Sequence, residues 1–388
     1  MVEVHRRIQR RTNMLTVLKG SLNGAQTVSE LSKLSGVTRP AAESIIADLI
    51  SLGWLQETHA PSGESTLGRP AARYKIADAV GYVLAIDFGA HHIGVVLATI
   101  SGEILAEETV PMDENAEARQ RLDAAFGVIE KIRTQHAGEI LICSVATPGV
   151  VCDGKVIYFG GRGMPGWKDL DIAYELGSVL QTRVVVSGDC ALGALGESWR
   201  GAAAGYRDVI YILAGIRTGA ASVIDGRVRG GLQGSAGLVG ELPQLRWREL
   251  ENETFASNVY GEQQPPRLEI FESARGEDTQ AVQAIEEYAH VLSLGIAAMV
   301  LTLAPECVVV GGRFSKHADL FIDLVQKNLN DVVPFPPKVV ASNLDGTEII
   351  LGALRFGLDE ISDSINHFAL ETDYFPSPNR ESLWGVMK

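Results

Sequence analysis

Tyr82-Val83-Leu84-Ala85-Ile86-Asp87-Phe88-Gly89 is an apolar run that stops at Asp-x-Gly. A run of this length, closed by a turn signal, predicts a buried strand. Residues 93–99 and 103–107 read as two more strands of a meander, followed by a helix over roughly 114–136. Residues 140–146 and 184–187 read as further strands, with a helix near 169–180 between them. A second set then begins. It has strands at 209–214 and 220–224, a turn at Asp225-Gly226, a long helix over roughly 279–303, and a strand from Cys307 into a turn at Gly311-Gly312. Two successive sets of strands and helices predict an α/β protein of two similar lobes. No short-period repeat interrupts them.

Upstream of that run the pattern differs. Residues 8–20 read as a helix with Ile8, Met14, Leu15, Val17 and Leu18 on roughly one face. Thr27-Val28-Ser29-Glu30 has the capping-box spacing, a hydroxyl followed three residues later by Glu, and the helix it opens stops at Gly36. Thr38 is a good N-cap, and Pro40 sits in the first turn, where its missing N–H costs nothing. That third helix runs through Ile45, Ile46, Leu49 and Leu52 to Gly53. Two short helices around a tight Gly turn make a helix-turn-helix, whose second helix would enter a major groove by its N-terminal residues. Thr38, Arg39, Ala42, Glu43 and Ser44 are the candidate contacts, with Arg39 able to reach a guanine edge or a phosphate. A strand at 54–57, a polar loop at 60–70 and a returning strand at 73–76 read as a wing. Its tip, Gly68-Arg69-Pro70, offers the Arg69 cation to a minor groove or a phosphate. Arg10 and Arg11 have two readings, phosphate contacts or a solvated helix face. The competing reading of the whole segment is a three-helix interaction module without a DNA role.

Charge divides along the same line. The net charge is −14, but residues 1–80 carry +3 and the remainder −17. A small basic head on a large acidic body suits a DNA reader that stays soluble. The N-terminus lacks an apolar signal region and no apolar run reaches the length of a membrane span, so we expect a cytoplasmic protein. Cys143, Cys152, Cys190 and Cys307 are scattered, with no CxxC pair, which indicates neither a disulfide framework nor a zinc site.

Ala85-Ile86-Asp87-Phe88-Gly89, Met164-Pro165-Gly166-Trp167, Gly188-Asp189-Cys190-Ala191 through Gly196-Glu197, and Pro305-Glu306 through Gly311-Gly312 together resemble the ROK family of repressors, open reading frames and sugar kinases. With the N-terminal winged helix, the chain is most similar to the repressor branch, regulators of xylose and N-acetylglucosamine use. The resemblance implies an α/β chain of a winged helix-turn-helix over 1–78 and a two-lobed, actin-like ATPase (sugar-kinase-like) fold. The lobes would span 79–198 and 199–388, with sugar and nucleotide in the cleft between them. It implies a double-stranded DNA operator and a small sugar-like effector as partners, and a homodimer or homotetramer.

The family pattern carries over unevenly. Asp189 matches the residue that takes a proton from the sugar hydroxyl in kinase members, and a carboxylate there can also accept from a sugar hydroxyl without catalysis. Gly188 and Gly163 stand where Asn is usual. The Glu-x-Gly-His segment is replaced by 237–244; alternative alignments leave Glu241 or Gln244 at the missing His, and Glu241 is the polar group expected to face the pocket. Trp167 has two readings, stacking on a sugar ring or packing beneath its loop. The family's zinc motif needs cysteines soon after that His, and residues 241–300 contain none, so no zinc is expected. The phosphate loops read Ala90-His91-His92 and Gly215-Ile216-Arg217-Thr218-Gly219 instead of Gly-rich runs, which opposes ATP binding because backbone N–H groups must close on phosphate oxygens, although Arg217 could hold an anion by itself. Asp87 then reads as a cap on its strand turn, the alternative being a Mg²⁺ ligand in a kinase. Adjacent His91 and His92 would point to opposite strand faces, so metal is not expected there. We therefore expect a DNA-binding regulator without kinase activity; the rival is a sugar kinase with a DNA-binding head. The stretch from Asn366 onward has no reading beyond a packing tail.

Overall fold

The structure, a computed structural model, describes residues 2–58, 71–251, 256–260 and 265–385. The N-terminal head is α1 (Val2–Ser21), β1 (Gln26–Thr27), α2 (Val28–Ser35), α3 (Arg39–Ser51), β2 (Leu55–Thr58) and β3 (Arg73–Ile76). The capping box forms as its spacing predicts: Glu30 N–H donates to Thr27 Oγ1, and Thr27 N–H donates to Glu30. Gly36 ends α2 in the left-handed region, φ 66°. β1, β3 and β2 pair antiparallel as the base of a wing. The wing tip with Arg69 lies outside the described residues.

The first lobe holds β4 (Tyr82–Phe88), β5 (His92–Thr99), β6 (Ile104–Pro111), α4 (Ala118–Gln135), β7 (Ile140–Thr147), the hairpin β8 (Val150–Cys152) and β9 (Lys155–Tyr158), α5 (Ile172–Leu180), β10 (Arg183–Gly188) and α6 (Asp189–Arg200). The second holds β11 (Val209–Ala214), β12 (Thr218–Ile224), β13 (Arg227–Val228), α7 (Trp247–Glu251), α8 (Ser257–Tyr260), α9 (Arg267–Arg275), α10 (Thr279–Leu303), β14 (Cys307–Gly311), α11 (Ile322–Val332) and β15 (Lys338–Ala341). The chain closes with α12 (Glu348–Glu371) and α13 (Arg380–Trp384).

Both five-stranded sheets have one topology. The orders β6-β5-β4-β7-β10 and β13-β12-β11-β14-β15 each place an antiparallel meander beside two parallel strands. β7, buried at every residue, is an interior strand covered on both faces. α10 is long and apolar enough to cross a membrane by composition, yet it is largely buried in the second lobe, packed on α9, α11 and α7. That burial gives it the character of a core helix.

α12 departs from the lobe division that the sequence suggests. Within 199–388 it would belong to the second lobe, but its body lies on β4 and β7 of the first sheet and crosses α6. Glycines make that crossing close: a Cβ on Gly352 would lie 1.7 Å from Leu192 O, and one on Gly196 would lie 2.0 Å from Glu348 O. Buried Glu348 ties the start of α12 to the second lobe by accepting from Gly312 N–H and Tyr211 O–H. At its other end α12 meets the head. Arg11 Nε donates to Ala369 O at 3.0 Å, and the fully buried Trp54 indole N–H donates to Pro376 O at 2.6 Å. Leu18, Leu31, Ile46 and Leu49 of the head belong to one apolar core with Ile361, Ile365 and Phe375. The head is therefore docked, and the stretch from Asn366 is its seat.

Candidate DNA-reading face and interlobe cleft

On α3, Thr38, Arg39, Glu43 and Ser44 are exposed, as a reading helix requires. Thr38 takes extended N-cap geometry, but its hydroxyl makes no capping hydrogen bond. Ala42 is corrected: it is fully buried. Its spacing to Ile45, Ile46 and Leu49 puts it on the apolar face, away from any groove. Arg39 pairs with Glu43 at 3.1 Å, and Arg10 with Asp48 and Ser44, so both cations rest on neighbours. Arg11 is also corrected. It is buried against α12 and has no access to phosphate.

Between the lobes lies a cleft of about 770 Å³. Asp189 opens α6 at its wall, where the strand β10 ends at Gly188. Its carboxylate accepts from Cys190 N–H at 2.7 Å. Burial pushes its carboxyl up to about 6 and the charge of Asp87 adds to this, while the Cys190 N–H and Arg217 oppose it. Glu241 also lines the cleft and joins Arg248 and Tyr158. Burial opposes its charge, but hydrogen bonds from Arg248 and Tyr158 outweigh that and hold its carboxyl below the usual range.

Trp167 and Gln244 are not placed at this site. Trp167 is fully buried, its indole N–H donates to Thr147 Oγ1 at 2.7 Å, and its ring packs 5.1 Å from Phe88. The packing alternative is the one realised, because a buried indole satisfies its N–H inside the lobe. Gln244 sits exposed in a one-turn helix, Pro243–Leu245, off the cleft lining.

At the end of β4 the chain pairs two of its own side chains. His92 Nε2 meets Asp87 at 2.9 Å, so Asp87 engages a side chain where a backbone cap is expected from sequence. That hydrogen bond raises the His92 imidazole above its ordinary value against the cost of burial. The His92 ring lies where a Cβ on Gly89 would be, 2.3 Å away. Across the cleft, Arg217 donates to Arg162 O and lies over the Phe159 ring at 4.7 Å. Arg248 donates to Gly160 O and Tyr158 Oη, both at 3.2 Å. Two second-lobe arginines thus hold one first-lobe segment, 158–162. From sequence, position 217 reads as a lost glycine whose arginine could itself hold an anion, and Arg248 has no local signal.

The ROK family profile matches residues 83–249 and 250–359, which together span both five-stranded sheets. The chain belongs to the ROK family. Among its relatives, the xylose repressor of Caldicellulosiruptor bescii is 24% identical over 387 residues, covering 90% of this chain and 96% of that protein. The glucokinase of Halalkalibacterium halodurans is 22% identical but covers only 64% of this chain. A solved ROK family transcriptional regulator, a homologue of the E. coli MLC protein, superposes with a TM-score of 0.67 at 20% identity, over 91% of this chain and 98% of that one. The Streptomyces griseus ROK glucokinase with glucose and AMPPNP gives a TM-score of 0.57 over 71% of this chain. These likenesses bear out the expected α/β, actin-like two-lobed fold.

Proposed function

We propose that this ROK protein is a DNA-binding transcriptional regulator, a repressor in the sense of the xylose repressors it resembles. A small sugar or sugar derivative in the interlobe cleft would modulate its operator binding. The observation that carries this reading is the continuous apolar core joining the helix-turn-helix to α12, which crosses the helix bearing Asp189. A ligand held by Asp189 and Glu241 biases the lobes towards one closure. α12 touches both lobes and the head, so closure resets the head's position. In a dimer or tetramer the spacing of two heads must match two operator half-sites, and a shift of that spacing changes affinity. Regulators of this kind act in the cytoplasm.

Catalysis is not part of this reading. Phosphoryl transfer depends on placing phosphates and Mg²⁺, and the His92 ring stands against Gly89 beside the first loop, where a cradle would need open backbone. The donor set does not fit zinc either, since 241–300 supply no cysteine. Asp189 alone favours the rival, a sugar kinase with a DNA-binding head. A coupled assay with ATP and a sugar panel separates them: sugar phosphorylation that disappears in Asp189→Asn establishes the kinase. Selection of duplexes from a randomised library tests the regulator: enrichment of one motif, lost in Arg39→Ala, supports it, and no enrichment overturns it.

A further inference from the structure

The body of the protein is acidic, −17 from residue 81 onward, yet one wall of the cleft is not. On the second-lobe side Arg217, Arg227, Arg229 and Arg248 line it, against the single carboxylate Glu241. Glu241 is spent on Arg248. Arg217 lies on the Phe159 ring, with its guanidinium close enough to Asp189 to favour that carboxylate's charge. Arg227 opens β13, which packs against α6, and Arg229 follows the strand directly, so the two are one alternation apart and lie on one face. Among the described residues the guanidinium groups of Arg227 and Arg229 make no ion pair and no hydrogen bond. The adjoining wall, α6 and α12, carries Asp189, Asp359, Glu360 and Asp363. Glu360 is paired with Arg183 and Asp359 with Arg355. Among the described residues, the unpaired arginines of the cleft are thus Arg227 and Arg229, at β13.

A neutral sugar makes no use of that charge. Guanidinium forks match carboxylate and phosphate oxygens, and several together define a site for one acidic group. We infer that the cleft takes an acidic carbohydrate, its carboxylate or phosphate on the Arg217–Arg227–Arg229 wall and its hydroxyls towards Asp189. This inference rests on the reading of the cleft as an effector site.

Calorimetric titration of the full chain with D-gluconate, D-glucuronate, D-glucose 6-phosphate, D-glucose and D-xylose tests it. At least one of the three acids should bind about tenfold or more tightly than glucose and xylose, the margin that hydrogen bonds to a charged group supply. Gluconate and glucuronate against the 6-phosphate tells carboxylate from phosphate. The margin should vanish in Arg227→Met/Arg229→Met and persist in Arg207→Met, a surface arginine paired with Asp225 and off the cleft lining. Glucose or xylose binding as tightly as the acids, or an acid indifferent to the double substitution, overturns the acidic ligand and leaves the effector site standing. No binding by any of the five overturns both.

Discussion

Trp54→Phe should undock the head without unfolding it. The indole N–H donates to Pro376 O at 2.6 Å, and both residues are buried. Phenylalanine keeps an aromatic ring in the head core but removes the donor, which leaves a buried carbonyl unsatisfied. That costs about 1–3 kcal/mol, so the docked state loses roughly 5- to 150-fold in population relative to the undocked one. The phenyl ring is also smaller, which adds to the loss. Hydrogen exchange of the intact chain reads the effect. Amides at the C-terminal end of α12, in residues 375–384 and in α1 should exchange faster by a comparable factor, while those of β4 and β7 stay as slow as before. Ligand control of DNA binding should weaken in parallel, because the head no longer follows α12. Unchanged exchange in 366–384 would refute the docking argument. Equal acceleration everywhere would show that Trp54 serves only global stability.

Gly352→Ala should be severe: its Cβ would meet a backbone oxygen at 1.7 Å, so α6 and α12 must separate, and thermal unfolding should register a loss of about 2 kcal/mol or more. Asp189→Asn should raise stability at pH 7. The wild-type carboxyl is held up to about 6, so between pH 4 and 6 the folded state keeps a proton the unfolded chain has lost, and stability falls across that window by about 3 kcal/mol. Denaturant melts across pH 4–7 should show that decline in the wild type and a flatter profile in the variant. Glu43→Ala releases Arg39 from its ion pair, and the salt dependence of DNA binding should steepen by about one ion if Arg39 then takes a phosphate. An unchanged slope would place Arg39 off the backbone.

The parts legible in the sequence are those with local signals. The capping box at Thr27, the Gly36 stop, the strand ending at Asp87-Phe88-Gly89 and the long helix to Leu303 all depend on residues a few positions apart. Ala42 is legible too: its spacing to Ile45, Ile46 and Leu49 marks the buried face. Other features had no local signal. Trp167 lies beneath its loop because Thr147, twenty residues away, accepts its N–H. Arg11 looks like any helix-surface cation until Ala369 supplies a carbonyl 358 residues later. The return of α12 to the first sheet follows from long-range packing, which periodicity cannot report. At the cleft, the lost phosphate glycines were readable, but not that His92 would fold back onto Asp87 or that Arg217 would reach Phe159 and Arg162.

The most direct test of the account is the affinity of the full chain for its selected duplex, read by fluorescence anisotropy with and without a carbohydrate that binds the cleft. The account predicts that the ligand shifts the dissociation constant by about tenfold or more, a coupling of roughly 1–3 kcal/mol, and that Asp189→Ala abolishes the shift while the DNA affinity of the ligand-free protein stays. A duplex affinity indifferent to a ligand shown to occupy the cleft would contradict it.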